Sequence, residues 1–246
     1  MHSLASRLSV LALAVAAAGA HAEQFNRIAS FPVSQNLPAD QVSQETSAEI
    51  ITATANGEML VYSDSPRGGL GFVDIRQAGQ PRPAGFLALE GEPTSVSAVG
   101  NQVVTAVNTS SSYLQPSGFL ALVSPTQMKV LSRCELGGQP DSVAVSKEGT
   151  RVAVAIENER DEDLNDGQIP QMPAGDLVLL SIKDGKLDCN SLTRVDLTGL
   201  ADIAPSDPEP EFVDFNANGE VVVTLQENNH LVIVDGTTGK VINHFS

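Results

Sequence analysis

The chain of 246 residues carries 30 acidic and 14 basic side chains, so its formal net charge is −16 at pH 7. A chain this acidic repels nucleic acid and anionic lipid, which excludes both as partners, and it attracts divalent cations, basic peptides or substrates that arrive with a metal. It has four histidines and no tryptophan, so chemistry built on histidine ligands or histidine bases is not expected.

The first 22 residues have the pattern of a secretory signal peptide. Arg7 supplies a positive start, an apolar run follows it, and Ala20-His21-Ala22 forms a small-residue cleavage site. The alternative is a membrane anchor, but the apolar run is short for crossing a bilayer. We therefore predict a periplasmic or secreted protein that starts at Glu23 and does not insert into a membrane after cleavage.

Residues 23–46 form an N-terminal segment ahead of the regular part of the chain. Within it, residues 24–33 (QFNRIASFPV) resemble the strands RPAGFLAL, KVLSRCEL and KVINHF that occur later. No strand pattern precedes this stretch. We therefore treat 24–33 as a candidate closing strand, which would pair with a sheet formed elsewhere.

From residue 47 onward, a pattern of four short strands occurs four times, at about 47–90, 91–137, 138–198 and 207–246. Turn pairs such as Asn56-Gly57 and Asn218-Gly219 separate the Val-rich runs, which is typical of tight antiparallel hairpins. A four-stranded repeat of about 40–50 residues predicts an all-β protein, a β-propeller of four-stranded antiparallel blades. The alternative, a β-sandwich of scattered hairpins, does not explain the regular spacing.

These four blades do not account for the candidate closing strand at 24–33. An N-terminal strand of this kind would complete the last blade of a closed propeller, whose edges must be paired. The fourth unit already has its own fourth strand at 240–245. We therefore expect the vacancy in a blade beyond residue 246, so that the four visible blades are an incomplete part of a larger propeller.

Two long loops fall on one face of the predicted propeller. Residues 157–175 lie between the second and third strands of the third unit, and residues 198–211 connect the third unit to the fourth. Function concentrates in elaborated loops on rigid scaffolds, so this is the candidate functional face. Acidic side chains near the ends of the inner strands should ring its channel mouth: Glu49, Asp141, Glu211 and Glu227.

The loop ENERDEDLNDG carries candidate metal ligands. Asp161, Asp163 and Asn165 alternate like the first three ligands of a calcium loop. The glycine that should follow comes one residue late, at Gly167, so this is not an EF-hand. Hard oxygen ligands favour calcium or magnesium over zinc, and the alternative is a solvated acidic loop. The candidate calcium ligands are Glu157, Glu159, Asp161, Asp163, Asn165 and Asp166.

Two arginines and two cysteines complete the candidate residues. Arg67, in the stretch SDSPRGG, and Arg160 could each clamp a phosphate through the guanidinium fork. The alternative for Arg67 is a turn with a solvated arginine. Cys134 and Cys189 belong to the outer parts of neighbouring units, and export permits a disulfide between them. The alternative is two inert thiols.

Four stretches resemble a known family: YSDSPRGGLGFVDI, GGQPDSVAVS, AIENERDEDLNDGQIPQMPAG and DPEPEFVDFNANGEVVVTLQENNHLVIVD. They are similar to exported bacterial β-propeller proteins of the esterase-like phytase family, which are also described as alkaline phosphatase-like. The resemblance spans nearly all of the chain after the signal peptide and corresponds to the N-terminal portion of the usually longer family members. It implies phosphoester hydrolysis, assisted by calcium, at an acidic propeller face.

Two functions remain open at this point. In a metal-assisted phosphoester hydrolase, calcium held by carboxylates would bridge the phosphate, offset its charge and activate a water molecule. In a non-catalytic propeller, the acidic face would bind a protein, a peptide or a surface ligand. The sequence has no G-x-S-x-G, H-E-x-x-H or P-loop motif, so no catalytic residue is predicted.

Overall fold

A computed structural model describes residues 26–246 of the chain. The predicted signal peptide at 1–22 lies outside the described residues, as do the first two positions of the candidate closing strand. Within 26–246, no helix has the length and apolar character needed to cross a membrane.

The described residues form four antiparallel sheets, each built from four consecutive strands in chain order. The prediction of a propeller with four-stranded antiparallel blades is confirmed. Their strands are β1 (Ile51–Ala53), β2 (Met59–Asp64), β3 (Gly69–Asp74) and β4 (Arg82–Ala88); β5 (Glu92–Val99), β6 (Gln102–Asn108), β7 (Gly118–Ser124) and β8 (Lys129–Glu135); β9 (Pro140–Val145), β10 (Arg151–Ile156), β11 (Asp176–Lys183) and β12 (Lys186–Asp196); and β13 (Pro210–Phe215), β14 (Glu220–Leu225), β15 (His230–Asp235) and β16 (Val241–Phe245). Three short 3₁₀ turns lie at Val33–Asn36, Ser65–Arg67 and Leu164–Gly167.

Apolar side chains hold each blade against the next. Side chains alternate between the two faces of a strand, so a Val- and Leu-rich strand inside the stack has two faces to bury. Leu70 and Phe72 of the first blade pack on Val103 and Ala121 of the second, and all four are fully buried. The second blade packs on the third, and the third on the fourth, through similar layers. The first strands meet in series, β1 with β5, β5 with β9 and β9 with β13.

The candidate closing strand at 24–33 is not a strand among the described residues. Residues 26–32 have no regular secondary structure, and Pro32 precedes the 3₁₀ turn Val33–Asn36. A strand needs a partner edge, and every sheet here consists only of the four strands of its own blade. The segment lies instead against β3 and β4. There Asn36 Nδ2 donates to Tyr62 Oη at 3.0 Å, and Ser47 N donates to Asp64 Oδ1 at 3.1 Å.

A disulfide joins the second blade to the third. Cys134 in β8 and Cys189 in β12 are bonded, with their Cα atoms 5.4 Å apart. The bond crosses the outer part of the apolar layer between the two blades, in which Cys134 and Leu187 are buried. It therefore fixes two blades to each other at the outer part of their interface.

Replacing both cysteines with serine should lower the free energy of unfolding by about 2–4 kcal/mol, because the crosslink limits the unfolded chain. The bonded residues are 55 positions apart. Urea denaturation of the two proteins measures the difference. Dithiothreitol should reproduce the loss in the original chain and have no effect on the double variant. Equal urea midpoints for both proteins, with and without dithiothreitol, would contradict the prediction.

Candidate functional site

The two long loops contact each other on one face of the propeller. The insertion loop (157–175) connects β10 to β11, and the connecting loop (197–209) connects β12 to β13. Arg160 of the first loop bonds to Asp207 of the second through Nε and Oδ2 at 3.0 Å, and its NH1 lies 3.2 Å from Glu209 Oε2. Gln171 N also donates to Asp207 Oδ2, at 2.9 Å. These contacts fix the insertion loop over the ends of the inner strands.

Two glycine–proline contacts position the acidic residues at the starts of β9 and β13. Pro140 precedes Asp141, and Pro210 precedes Glu211. A Cβ atom on Gly118 would lie 2.3 Å from Pro140 Cδ, and one on Gly175 would lie 2.4 Å from Pro210 Cδ. Only glycine permits this approach, so each acidic strand start sits directly against the preceding blade.

Two asparagines fix the same edge from the ends of the second strands. Asn158 Oδ1 accepts a hydrogen bond from Gln139 N at 2.9 Å, and Asn228 Oδ1 accepts one from Glu209 N at 2.9 Å. Each asparagine directly follows a glutamate that faces the mouth. Sequence reasoning missed this pair of contacts, although the repeated Glu-Asn dipeptide at equal positions of the third and fourth units was a usable signal.

A cavity of about 770 Å³ opens between the insertion loop and the strand ends, and we call it the acidic cavity. Arg160 is the one basic residue in its wall, and that guanidinium is already bonded to Asp207 and Glu209. Tyr113 and Ile169 add apolar surface. The acidic residues of the wall are Glu157, Glu159, Asp161, Glu162, Asp163, Glu209, Glu211 and Glu227.

Crowding and burial perturb several carboxyls at this cavity. Burial raises the pKa of Glu157 to about 8, and the charges of its neighbours, Asp141 first among them, add to the shift. Burial also raises the pKa of Asp141 to about 6, with Glu211 and Glu159 adding to it. The pKa of Glu211 is raised by burial and then by the charge of Glu227. These five neighbouring carboxyls therefore form one coupled electrostatic site.

Two further candidates, Glu49 and Arg67, lie outside the acidic cavity, and each is hydrogen-bonded to another side chain. Glu49 is exposed outside the cavity wall and accepts a hydrogen bond from Ser65 Oγ at 2.5 Å. Arg67 NH2 donates to Gln41 Oε1 at 2.6 Å, and its NH1 contacts Gln44 Oε1. Arg67 thus holds the N-terminal segment on the first blade. A phosphate would have to displace protein oxygens from either predicted arginine.

The predicted calcium ligands do not form a ligand set in this structure. Asp161 Oδ1 accepts a hydrogen bond from Asp163 N at 3.0 Å. Asn165 and Asp166 are exposed in a 3₁₀ turn, with φ of +52° and +59°. Across residues 26–246, no group of three or more His, Cys, Asp or Glu side chains is placed to hold a metal ion. Calcium binding at this loop stays a prediction.

Fold and site together define a β-propeller whose elaborated face carries a preformed acidic cavity. The chain belongs to the Choice-of-anchor I domain family, whose model matches residues 49–246. The esterase-like phytase family suggested by the resemblance is not the one that this match identifies. No curated protein matches the chain in sequence.

Three solved structures with a similar fold are remote from this chain in sequence. The β-propeller domain of Cps50 (Swd1) from Myceliophteria thermophila has a TM-score of 0.55 at 14% identity, over 82% of this chain and 57% of that one. Hydrazine synthase of Kuenenia stuttgartiensis has a TM-score of 0.50 at 13% identity, over 76% and 64%. A protein of unknown function from Bacteroides caccae has a TM-score of 0.50 at 14% identity, over 83% and 62%. The chain therefore spans less than two thirds of each of these structures, and they share its fold alone.

Replacing Arg160 with methionine should lower the free energy of unfolding by about 3 kcal/mol, because it leaves two buried carboxylates unpaired. The Asp207 and Glu209 side chains are only 2% and 4% exposed. Limited proteolysis should then cut within the insertion loop. The matched control is Arg76→Met, which removes a surface pair with Asp74 and should leave unfolding unchanged. Equal effects of the two substitutions would contradict the structural role of Arg160.

Glu157→Gln should remove part of the pH dependence of stability. The folded-state pKa of Glu157, about 8, is above its ordinary value of 4.5, so the folded protein holds this proton more tightly than the unfolded chain does. Glu157 therefore contributes its full stabilisation of the folded protein when the pH is below the ordinary pKa of 4.5. This contribution is lost as the pH rises through the folded-state pKa. At about pH 9 the free energy of unfolding of the variant should be higher than that of the original by on the order of 2 kcal/mol, after allowance for solvent screening.

Thermal melts from acidic to alkaline pH measure this effect. Glu148→Gln, in the turn between β9 and β10 on the opposite face, removes the same charge and should melt like the original at every pH. Parallel melting curves for Glu157→Gln and the original would show that Glu157 has no unusual proton affinity.

Proposed function

We propose that this protein is an exported, non-catalytic binding module that holds a positively charged segment of a protein or peptide in the acidic cavity. The observation that carries the proposal is the set of coupled carboxyls around Glu157 without a free basic partner. A cationic side chain would supply the missing charge. Binding it would be favoured both by attraction and by release of the crowding among the carboxyls.

The size and lining of the cavity support an organic cation over a bare metal ion. Its volume of about 770 Å³ falls in the range of roughly 300–1,000 Å³ that is typical of sites for organic ligands. Tyr113 and Ile169 in the wall can contact the methylene stem of a lysine or arginine while the carboxylates face its charged end. The aromatic ring of Tyr113 can also interact with the cation itself.

Family membership supports the same function. Choice-of-anchor domains typically occur in secreted or cell-surface proteins, where binding to another surface component is a common task. The disulfide between Cys134 and Cys189 fits an exported protein, because such bonds persist in oxidising compartments. Export through the predicted signal peptide belongs to this proposal.

The second candidate is the calcium-assisted phosphoester hydrolase that the phytase resemblance implies. Its ligands would come from the insertion loop, and Arg160 would have to exchange Asp207 and Glu209 for a phosphate. The contacts of Arg160 and the positions of the loop carboxylates give this function less support than the binding module. Calcium-dependent hydrolysis of a chromogenic phosphomonoester by the full chain, lost in Asp161→Asn with Asp163→Asn, would favour the hydrolase.

Titration calorimetry with a short lysine-rich peptide tests the binding function. Affinity should rise between about pH 6 and about pH 8, because Asp141 and Glu157 lose their protons in this window and become attractive. Glu211→Gln with Glu227→Gln should weaken binding by roughly fivefold to tenfold, which corresponds to about 1 kcal/mol. Added salt should weaken it further.

Two controls separate specific binding from general attraction to an acidic protein. The same peptide with acetylated lysines should not bind, because acetylation removes the positive charge. Glu58→Gln with Glu148→Gln removes two charges from turns on the opposite face and should leave affinity unchanged. Binding that falls equally in both double variants would reject the acidic cavity as the site.

A further inference from the structure

Three loops on the face of the acidic cavity expose large apolar side chains. The tip loop (109–117) connects β6 to β7, and it lies on the same face as the insertion loop and the connecting loop. The turns between the first and second strands of each blade, on the opposite face and within residues 26–246, expose no large apolar side chain. We call the exposed apolar side chains of the three loops the apolar rim: Tyr113, Leu114, Ile169, Met172 and Ile203.

Tyr113 and Leu114 form the end of a tight hairpin in the tip loop. Ser112 and Gln115 flank them in an isolated antiparallel bridge, and Gln115 N donates to Ser112 O at 3.0 Å. Such positions usually carry Gly, Asn, Asp, Ser or Pro, which favour turn geometry. Tyr113 and Leu114 are instead 45% and 51% exposed, so packing within the fold does not account for them.

The insertion loop presents Ile169 and Met172 on a fixed backbone. Gln171 lies between them, and its N donates to Asp207 Oδ2 at 2.9 Å. Its side chain is also bonded to Asp161, with Nε2 donating to Asp161 O at 2.8 Å and Oε1 accepting from Asp161 N at 2.9 Å. This part of the loop is therefore tied down, yet Met172 is 63% exposed.

The apolar rim borders the acidic cavity. Tyr113 and Ile169 belong to the cavity wall itself. The Ile203 carbonyl accepts a hydrogen bond from Asn228 Nδ2 at 3.1 Å, and Glu227, the residue before that asparagine, is part of the wall. Single apolar residues on a surface need no explanation, but these five concentrate on the loops around one cavity. A partner that enters the cavity therefore meets carboxylates inside it and apolar side chains beside it.

We propose that the apolar rim docks a protein segment in which a lysine or arginine is flanked by large aliphatic or aromatic side chains. This inference rests on the proposed function, since the basic side chain enters the acidic cavity, and it adds the residues on either side. Removing apolar surface of both partners from water contributes affinity that does not depend on charge. Loops that are already fixed lose little freedom on binding, which favours association further.

Charge complementarity selects this occupant over the others. A second copy carries the same net charge of −16, which opposes association, and the carboxylates of the cavity repel an anionic lipid surface for the same reason. A wholly apolar partner would cover the cavity and leave its carboxylates buried without partners, which costs free energy. A segment with a basic centre and apolar flanks is complementary to both parts of the surface.

Titration calorimetry with two peptides of equal charge tests the proposal. In one peptide each lysine is flanked by leucines, and in the other by serines. The leucine-flanked peptide should bind the original chain roughly tenfold more tightly, and this ratio should persist at high salt because it does not arise from charge.

Two double variants locate the preference. In Leu114→Ser with Met172→Ser, the ratio should fall to about twofold or less, while affinity for the serine-flanked peptide should not change. The matched control is Met128→Ser with Ile242→Ser, which removes two exposed apolar side chains outside the three loops and should keep the full ratio. All four residues are exposed, so both variants should melt like the original.

The outcomes separate this proposal from the proposed function. Equal affinities of the two peptides for the original chain would reject the apolar rim as a docking surface and leave the acidic cavity as a binding site. Binding of neither peptide would reject both. Cosedimentation with neutral phosphatidylcholine vesicles that Leu114→Ser with Met172→Ser abolishes would assign the rim to a lipid surface and reject the proposal. A preference that falls equally in both double variants would reject it as well.

Discussion

Face-to-face burial of aliphatic side chains between blades is the interaction on which this structure depends. Each small sheet has two apolar faces and is marginal alone, so it acquires stability only from its neighbours in the stack. Val154 and Leu120, both fully buried in the layer between the second and third blades, illustrate the pattern. Each fully buried aliphatic side chain contributes about 1.5–3 kcal/mol to stability. Summed over the stack, these contributions offset unfavourable features at its edge.

The acidic cavity is such an unfavourable feature. Stacking brings the starts of β9 and β13 side by side, and each start carries a proline followed by an acid, Asp141 or Glu211. The close approach of Gly118 and Gly175 to those prolines places each acidic strand start against the preceding blade. Burial first, and the neighbouring like charges in addition, raise the pKa of Glu157 and Asp141, and a bound cation would relieve both effects. The binding function proposed for this face therefore follows from how the blades pack.

The repeating part of the fold could be predicted because its signals are local. Short Val-rich runs, separated by turn pairs such as Asn56-Gly57 and Asn218-Gly219, specify hairpins within a few residues, and these recur at a regular interval. The positions of Glu211 and Glu227 at the cavity followed from the same register, whereas Glu49 lies outside the cavity wall and accepts a hydrogen bond from Ser65 Oγ. The contact of Arg160 with Asp207 joins residues 47 positions apart and has no local signal. Pairing of the candidate strand at 24–33 stays a prediction, because its expected partner edge lies outside the four sheets described.

The central claim is that the inner strand ends hold a preformed cluster of coupled carboxyls, and NMR titration of the side-chain carboxyl carbons tests it most directly. In the ligand-free protein, Glu157 should titrate near the value of about 8 and Asp141 near about 6. Substituting Glu211 with glutamine should shift both downwards, because one source of repulsion is removed. Ordinary titration of both carboxyls, at about pH 4, would contradict the claim and with it the argument that this face attracts a cationic ligand.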